Sequence, residues 1–250
     1  MTSDYLWIWP IGFALLVGGG HYLLRPMYRG PLTDETKDFL ATAGFRIGSL
    51  HALVASLAFS TIIAEQNELI KTAQEEALAI ERLYLNLSST DRDEHRVARE
   101  ELVTYIEQVL TLELPLNVEE VVSDSAGRSL RRLDVALKIA STDHETENRW
   151  AFAFEDYRMV VKARGQRSFD SYKPLPVALK FVLLLGFLGT LACMIGFRAS
   201  PAISTGIAAF SAINGAVIGA LWISQYPFST HISSISAPFH TVYDRSFLNK

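Results

Sequence analysis

Long uncharged stretches alternate along the chain with one charge-rich stretch. About 20 apolar residues in a helix cross the roughly 30 Å hydrocarbon layer of a bilayer, and four stretches have this character: about 5–25, 44–66, 175–197 and 201–225. Most charged residues lie between Glu65 and Lys173. The pattern predicts an all-α, four-span helical membrane protein with a helical aqueous insert between spans 2 and 3. A soluble protein with four long buried helices is the less favoured alternative.

The chain divides into four segments on this interpretation. They are a first transmembrane helix pair (1–66), the aqueous insert (67–174), a second transmembrane helix pair (175–225) and an interfacial C-terminal tail (226–250). Four spans place the insert and both termini on one side of a multi-pass protein. The positive-inside rule compares the basic residues on the two sides of the membrane and slightly favours a cytoplasmic insert. The basic residues beside the third span are Arg158, Lys162, Arg164, Arg167 and Lys173, and those on the opposite side are Arg25, Arg29, Lys37, Arg46 and Arg198.

Apolar residues of the insert recur at the helical steps of three and four. A seam with heptad-like spacing continues out of the second span: Ala73, Ala77, Ile80, Tyr84 and Leu87. Two more apolar stripes lie in the second half of the insert. One consists of Leu130, Leu133, Leu137 and Ala140, and the other consists of Phe154, Tyr157 and Val161. These stripes predict a helical bundle with a loop near 114–128.

Composition excludes several classes of protein. The net charge of −4 argues against a protein that mainly binds nucleic acid, and a single cysteine, Cys193, excludes a disulfide framework or zinc ribbon. The six histidines lack metal-ligand spacing, and we interpret each as a surface or interfacial residue. Phosphate-binding loops, metalloprotease motifs and nucleophile elbows are missing from the sequence. We therefore expect no enzyme activity, cofactor or metal site.

The second span carries polar side chains along one helix face. Such groups are costly in hydrocarbon unless they face protein or water, so a polar stripe indicates a functional surface. If several copies surround an axis, this face would line a pore, with Leu53 and Ile63 as apolar constrictions and Arg46 favouring anions. Alternatively, the serines bond to carbonyls of the preceding turn while Arg46 reaches lipid headgroups. The candidate pore-lining residues are Arg46, Ser49, Leu53, Ser56, Ser60, Ile63 and Asn67.

The fourth span favours close helix packing. Ser211, Gly215 and Gly219 form a ladder of small residues at steps of four. Asn214 requires a hydrogen-bond partner from another helix or subunit. Lys180, about one turn inside the third span, is expected to extend its amine toward the membrane surface.

The layout of spans and insert resembles the bestrophin-like family of bacteria and plants. The resemblance depends on Glu75-Glu76-Ala77 after the second span, and on Pro227-Phe228-Ser229 and Ile232-Ser233 with Ile235-Ser236 near the end. It implies a membrane protein, in a bacterial inner membrane, distantly related to bestrophins, which are pentameric anion channels with a pore lined by the second span. That span would here be 46–67. Calcium-gated animal bestrophins have an acidic C-terminal clasp, whereas this tail has only Asp244.

Two functions follow from these observations. The first is a homo-oligomeric channel, a pentamer by preference, that conducts monovalent anions across a lipid bilayer. The second is a non-conducting membrane scaffold or sensor whose insert binds a partner through the 73–87 seam. An intramembrane enzyme is the least favoured, because no acid–base pair is present in the spans.

Overall fold

The structure, a computed structural model, describes most of the chain as helix. Among the described residues no strand occurs, which confirms the predicted all-α class. The chain divides into two compact units. The first unit comprises Met1–Ala64 and Lys173–Gln225, and the second comprises Glu65–Tyr172 and Tyr226–Lys250. The described residues are 8–19, 32–89, 93–118, 124–142, 147–169, 176–195, 200–224 and 227–248.

Among the described residues, three helices are long and apolar enough to cross a membrane. They are α2 (Asp34–Ser88), α7 (Val177–Ile195, of which Val177–Met194 qualifies) and α8 (Pro201–Ile223). Helix α2 contains the predicted span 44–66, whereas α7 and α8 cover most of the predicted spans 175–197 and 201–225. Of the first predicted span, 5–25, only residues 8–19 are described, as helix α1 (Ile8–Phe13) followed by a π turn (Ala14–Gly18). The remaining part of that prediction lies outside the described residues.

The first unit is held together by the apolar faces of its helices. Ala55, Ala58 and Ile62 of α2 pack with Leu183 of α7 and Leu221 of α8. Helix α1 lies against α8. The start of α8 is fixed locally, because the Ser200 hydroxyl accepts a hydrogen bond from the Ile203 amide and proline occupies the first helical position.

The second unit is a helical bundle around one apolar core. Its helices are the second half of α2, α3 (Asp93–Gln108), α4 (Leu114–Val118), α5 (Ser125–Ala140), α6 (Glu147–Phe169) and α9 (Pro227–Tyr243). Helix α5 packs on α3 through its apolar stripe. The predicted heptad-like seam is buried in this core, where Ile80, Tyr84 and Leu87 are between 0% and 6% exposed.

The predicted loop near 114–128 is wrong in extent. The helical path continues through Pro115 to Val118, and α5 begins at Ser125. A π turn (Val109–Glu113) precedes Pro115, and the Leu114 amide bonds to the Val109 carbonyl five residues back. Because a proline lacks an amide donor and crowds the preceding turn, a widened turn at this place allows the helix to continue.

The C-terminal segment belongs to the second unit. The sequence suggested a separate tail at 226–250, but Phe228, Ile235 and Phe239 of α9 are at most 1% exposed and lie in the core of the bundle. The helix bends at His231, whose backbone is not helical, and a π turn (Asp244–Leu248) follows it. The aromatic and apolar residues of the segment therefore serve to pack the bundle.

Candidate functional site

The candidate pore residues occupy exposed positions along α2. We call Arg46, Ser49, Leu53, Ser56, Ser60, Ile63 and Asn67 the exposed stripe, because all seven are exposed in the single chain. Leu53 is 67% and Ile63 is 53% exposed. The described residues of the same chain therefore leave this face of α2 largely uncovered.

Two of the serine hydroxyls on the exposed stripe form hydrogen bonds within α2. Ser49 Oγ donates to the Phe45 carbonyl at 2.8 Å, and Ser56 Oγ donates to the Ala52 carbonyl at 2.9 Å. These are the bonds to the preceding turn that the alternative interpretation required. Because these bonds satisfy the hydroxyl donors in any surroundings, they do not by themselves show whether the exposed stripe faces water, lipid or protein.

The opposite face of α2 packs within the first unit. His51, Ala55, Ala58 and Ile62 are buried there at steps of four and three. Gly44 and Gly48 allow a close approach to α7, since a Cβ on Gly44 would lie 3.1 Å from the Cβ of Cys193. Helix α2 thus has one packed face and one exposed face.

The exposed face of α7 differs in chemistry from that of α2. Its outward residues are all apolar, as is typical of a surface that contacts lipid tails: Phe181, Val182, Leu184, Leu185 and Leu188. The exposed stripe of α2 instead mixes Leu and Ile with hydroxyls, an amide and a guanidinium. The exposed faces of α2 and α7 therefore differ in chemical composition, although both are exposed in the single chain.

A buried polar pair joins α2 to α8 within the first unit. His51 Nε2 lies 2.7 Å from Asn214 Oδ1, and Asn214 Nδ2 donates to the Phe210 carbonyl at 2.9 Å. The expectation that Asn214 needs a partner on another helix is confirmed. The interpretation of His51 as a surface or interfacial residue is wrong, since it is only 6% exposed.

The other residues singled out in the third and fourth spans have contacts within the first unit. Ser211, Gly215 and Gly219 lie on the buried side of α8, the positions expected for close helix packing. Lys180 Nζ lies 5.6 Å from the centre of the Trp222 ring. A cation over an aromatic face is stabilised by the electrons of the ring, so Lys180 has an electrostatic partner within its own unit.

An ion cluster is buried in the second unit. Arg167 is fully buried, with Nε 2.8 Å from Glu76 Oε2 and Nη2 2.7 Å from Glu113 Oε1. Arg164 Nη2 lies 2.8 Å from the other oxygen of Glu113. The Tyr105 hydroxyl donates to Glu76. We call these five residues the ion cluster.

Burial and the neighbouring charges both shift the pKa values of Tyr105 and Arg167 in the ion cluster. Burial first, and then the negative charge of Glu76, raises the pKa of Tyr105 well above its ordinary value, so the phenol remains a donor. Burial alone would lower the pKa of Arg167, but the charges of Glu76 and Glu113 outweigh it and raise that pKa. The ion cluster therefore combines two guanidinium groups, two carboxyl groups and a phenol that keeps its proton.

Sequence reasoning missed the ion cluster. Arg164 and Arg167 are two of the basic residues next to the third span in the sequence, but both form ion pairs and Arg167 is buried, so they contribute little to the positive-inside preference for a cytoplasmic insert. Glu113 lies in the π turn and faces inward. One signal was available in the sequence. Glu76 is a charged residue directly before Ala77 of the apolar seam, and it belongs to the Glu75-Glu76-Ala77 motif on which the family resemblance depends.

Comparison with known proteins gives one match. A family model described as the Bestrophin-like domain matches residues 11–237 of the chain. No curated protein and no solved structure shows a significant match. Among the described residues, no group of three or more His, Cys, Asp or Glu side chains is placed to hold a metal ion.

Proposed function

The chain belongs to the bestrophin-like family, and from this premise we propose that it is a subunit of an ion channel that conducts monovalent anions. Membership in this family suggests a relation to bestrophin-type anion channels. In the proposal, copies of the chain form a homo-oligomer, a pentamer by preference, in a bacterial inner membrane. The second unit then lies on the cytoplasmic side. No catalytic step is involved.

The exposed stripe of α2 is the observation that carries the proposal. A helix that spans a membrane needs no hydroxyls, amide or guanidinium on a surface that faces lipid, and α7 shows a face without them. The opposite face of α2 is already packed. When copies surround an axis, the exposed stripe is the face of α2 that is free to line it.

The residues of the exposed stripe have distinct roles in such a pore. Arg46 raises the local concentration of anions at one mouth by its positive charge. Leu53 and Ile63 form apolar rings that limit the passage of hydrated ions. Because the hydroxyls of Ser49 and Ser56 already donate to carbonyls, we propose that they supply a weakly polar wall rather than tight anion sites.

Flux measurements on reconstituted protein test the proposal. The purified protein in liposomes should carry a chloride flux, and Leu53→Ala should increase it several-fold by widening an apolar ring. Arg46→Glu should reduce the preference for chloride over a monovalent cation, measured as a shift in reversal potential.

A matched substitution on α7 serves as the control. Leu185 is 56% exposed, close to the 67% of Leu53, but lies on the uniformly apolar face. Leu185→Ala should therefore leave the flux unchanged. The absence of chloride flux from a correctly folded oligomer, or an equal effect of both leucine substitutions, would contradict a pore lined by α2.

The scaffold alternative loses its supporting feature. It required the 73–87 seam to be available to a partner, but Ala73, Ala77 and Ile80 are at most 2% exposed in the core of the second unit. A partner could reach these side chains only if the bundle opened. We therefore propose the channel alone.

A further inference from the structure

His51 is an ionisable residue buried among the spanning helices. It lies on the packed face of α2, two residues before Leu53 of the exposed stripe, and is 6% exposed. Ionisable side chains inside a membrane protein are costly to bury, and a function is the default hypothesis for them. No local pattern distinguishes His51 from the other histidines, because the surroundings of its imidazole are supplied by the distant helices α7 and α8.

The hydrogen bond to Asn214 defines the protonation of the imidazole. An amide oxygen can only accept, so Nε2 must be the protonated nitrogen that donates to Asn214 Oδ1. Nδ1 then carries a lone pair. Among the described residues it is buried without a hydrogen-bond partner.

The space next to Nδ1 is occupied by α7. A Cβ on Gly186 would lie 2.7 Å from Nδ1 and 2.9 Å from the Cβ of His51, so only glycine fits opposite the ring. The Thr190 hydroxyl of α7 donates to the Gly186 carbonyl, and neither oxygen lies within hydrogen-bond distance of Nδ1. A proton on Nδ1 would thus point toward a wall that offers it no free acceptor.

The described helices around His51 supply no counter-ion for a charged imidazole. Helix α8 has no ionisable side chain, and those of α7 are Lys180 and Cys193. Residues 8–19, with α1, have none. Helix α2 carries no carboxylate between Asp38 and Glu65, and Arg46 lies on its opposite, exposed face.

We propose that His51 is a proton-binding site that controls the attachment of α2 to α7 and α8. In the neutral state, the imidazole joins α2 to Asn214. When Nδ1 takes up a proton, the ring carries an unpaired charge and a donor without an acceptor, so the His51–Asn214 contact opens. Helix α2 then separates from its packed face, and the exposed stripe loses the position in which it lines the pore.

Thermal unfolding as a function of pH tests the proton site directly. The full-length protein in detergent should lose thermal stability as the pH falls from about 8 to about 5, because the unfolded chain exposes its imidazole groups and takes up protons in this range, whereas the folded site around His51 gives a proton no partner. In His51→Gln the side-chain amide can still donate to Asn214 but does not titrate, so most of this loss should disappear. His240→Gln is the control, because His240 is exposed and should leave the loss unchanged. A loss equal in the wild type and His51→Gln would overturn the proposal.

A second variant reverses the sign of the effect. Asn214→Asp places a carboxylate beside the imidazole, which supplies the missing counter-ion, so acidification should then stabilise the protein relative to the wild type. This variant keeps the proposal testable if His51→Gln does not fold. An Asn214→Asp protein that loses stability on acidification as the wild type does would overturn it.

The effect on conduction rests on the proposed function and is measured separately. Wild-type chloride flux in liposomes should fall at least several-fold on acidification, whereas His51→Gln should keep its flux. Flux that is present but independent of pH would overturn the link between His51 and conduction and leave the channel standing. No flux at any pH would remove the channel, while the unfolding curves still decide on the proton site.

Discussion

At the scale of single residues, the ion cluster shows how charges can be kept inside a small bundle. Arg167 has two carboxylate partners, and its guanidinium carbon lies 5.5 Å from the centre of the Phe239 ring. Removing charges from water costs several kcal/mol for each ion, and only close pairing offsets this cost. The cluster therefore stabilises the second unit only as a complete set.

Removing Arg167 tests this dependence. Arg167→Met leaves Glu76 and Glu113 buried without their shared cation, so the free energy of unfolding of the second unit should fall by about 3–5 kcal/mol. Denaturant unfolding of the purified protein measures it. Arg131→Met is the matched control, because Arg131 pairs with Asp124 at 2.7 Å but both side chains are exposed. An Arg167→Met protein as stable as this control would contradict the assigned role.

Local sequence patterns could not reveal such partners. Glu76 and Arg167 are 91 positions apart, and Glu113 and Arg167 are 54 apart. Asn214 could be recognised as needing a partner because its amide lies in an apolar run, but His51, 163 positions away, could not be identified as that partner. The periodicity of apolar residues shows which face of a helix is apolar. It does not show which other helix, distant in the sequence, packs against that face.

At the scale of helices, the sequence predicted the bounds of two long apolar helices well and the packing of the helices less well. The predicted bounds 175–197 and 201–225 agree with Val177–Ile195 and Pro201–Ile223, because a run of apolar residues is a local signal. The predicted loop near 114–128 begins too early, because the π turn before Pro115 allows the helical path to continue to Val118. The heptad-like seam was correctly identified as apolar, but its partners are helices of the same chain.

The approach of α2 and α7 depends on a glycine. Gly186→Ala should reduce stability by about 1–3 kcal/mol, because the added methyl group overlaps His51 and forces the helices apart. Gly206→Ala is the control in α8, where a Cβ has no neighbour within 4 Å. That substitution should stabilise the helix by up to about 1 kcal/mol. Thermal unfolding of both variants checks the prediction, and equal shifts would contradict it.

At the scale of the whole molecule, the all-helical class and the family were both predicted from the sequence and are confirmed. The division into units was only partly predicted. The first unit combines 1–64 with 173–225, close to the two predicted helix pairs, but 226–250 joins the insert. The motif at Pro227-Phe228-Ser229 indicated relatedness, and Phe228 shows its structural reason, since it is 1% exposed in the bundle core.

Chemical accessibility distinguishes water from lipid at the exposed stripe. In an assembled pore, Leu53→Cys should react with a charged, water-soluble thiol reagent, and the reaction should block chloride flux. Leu185→Cys should not react, because lipid excludes the reagent from the apolar face of α7. The native Cys193 is buried and provides the unreactive background. Equal reaction at both positions, or none at Leu53→Cys, would contradict a water-filled path along α2.

The closed arrangement of the ion cluster restricts how this sequence can diverge. Replacing Glu76, Glu113 or Arg167 singly leaves an uncompensated charge in the bundle, so intermediates with one change are selected against. Across the relatives of this chain, we expect the three positions to be inherited together or exchanged together for apolar residues. Such an exchange would have to reach further, since Arg164 and Tyr105 would lose the carboxylates that they now contact.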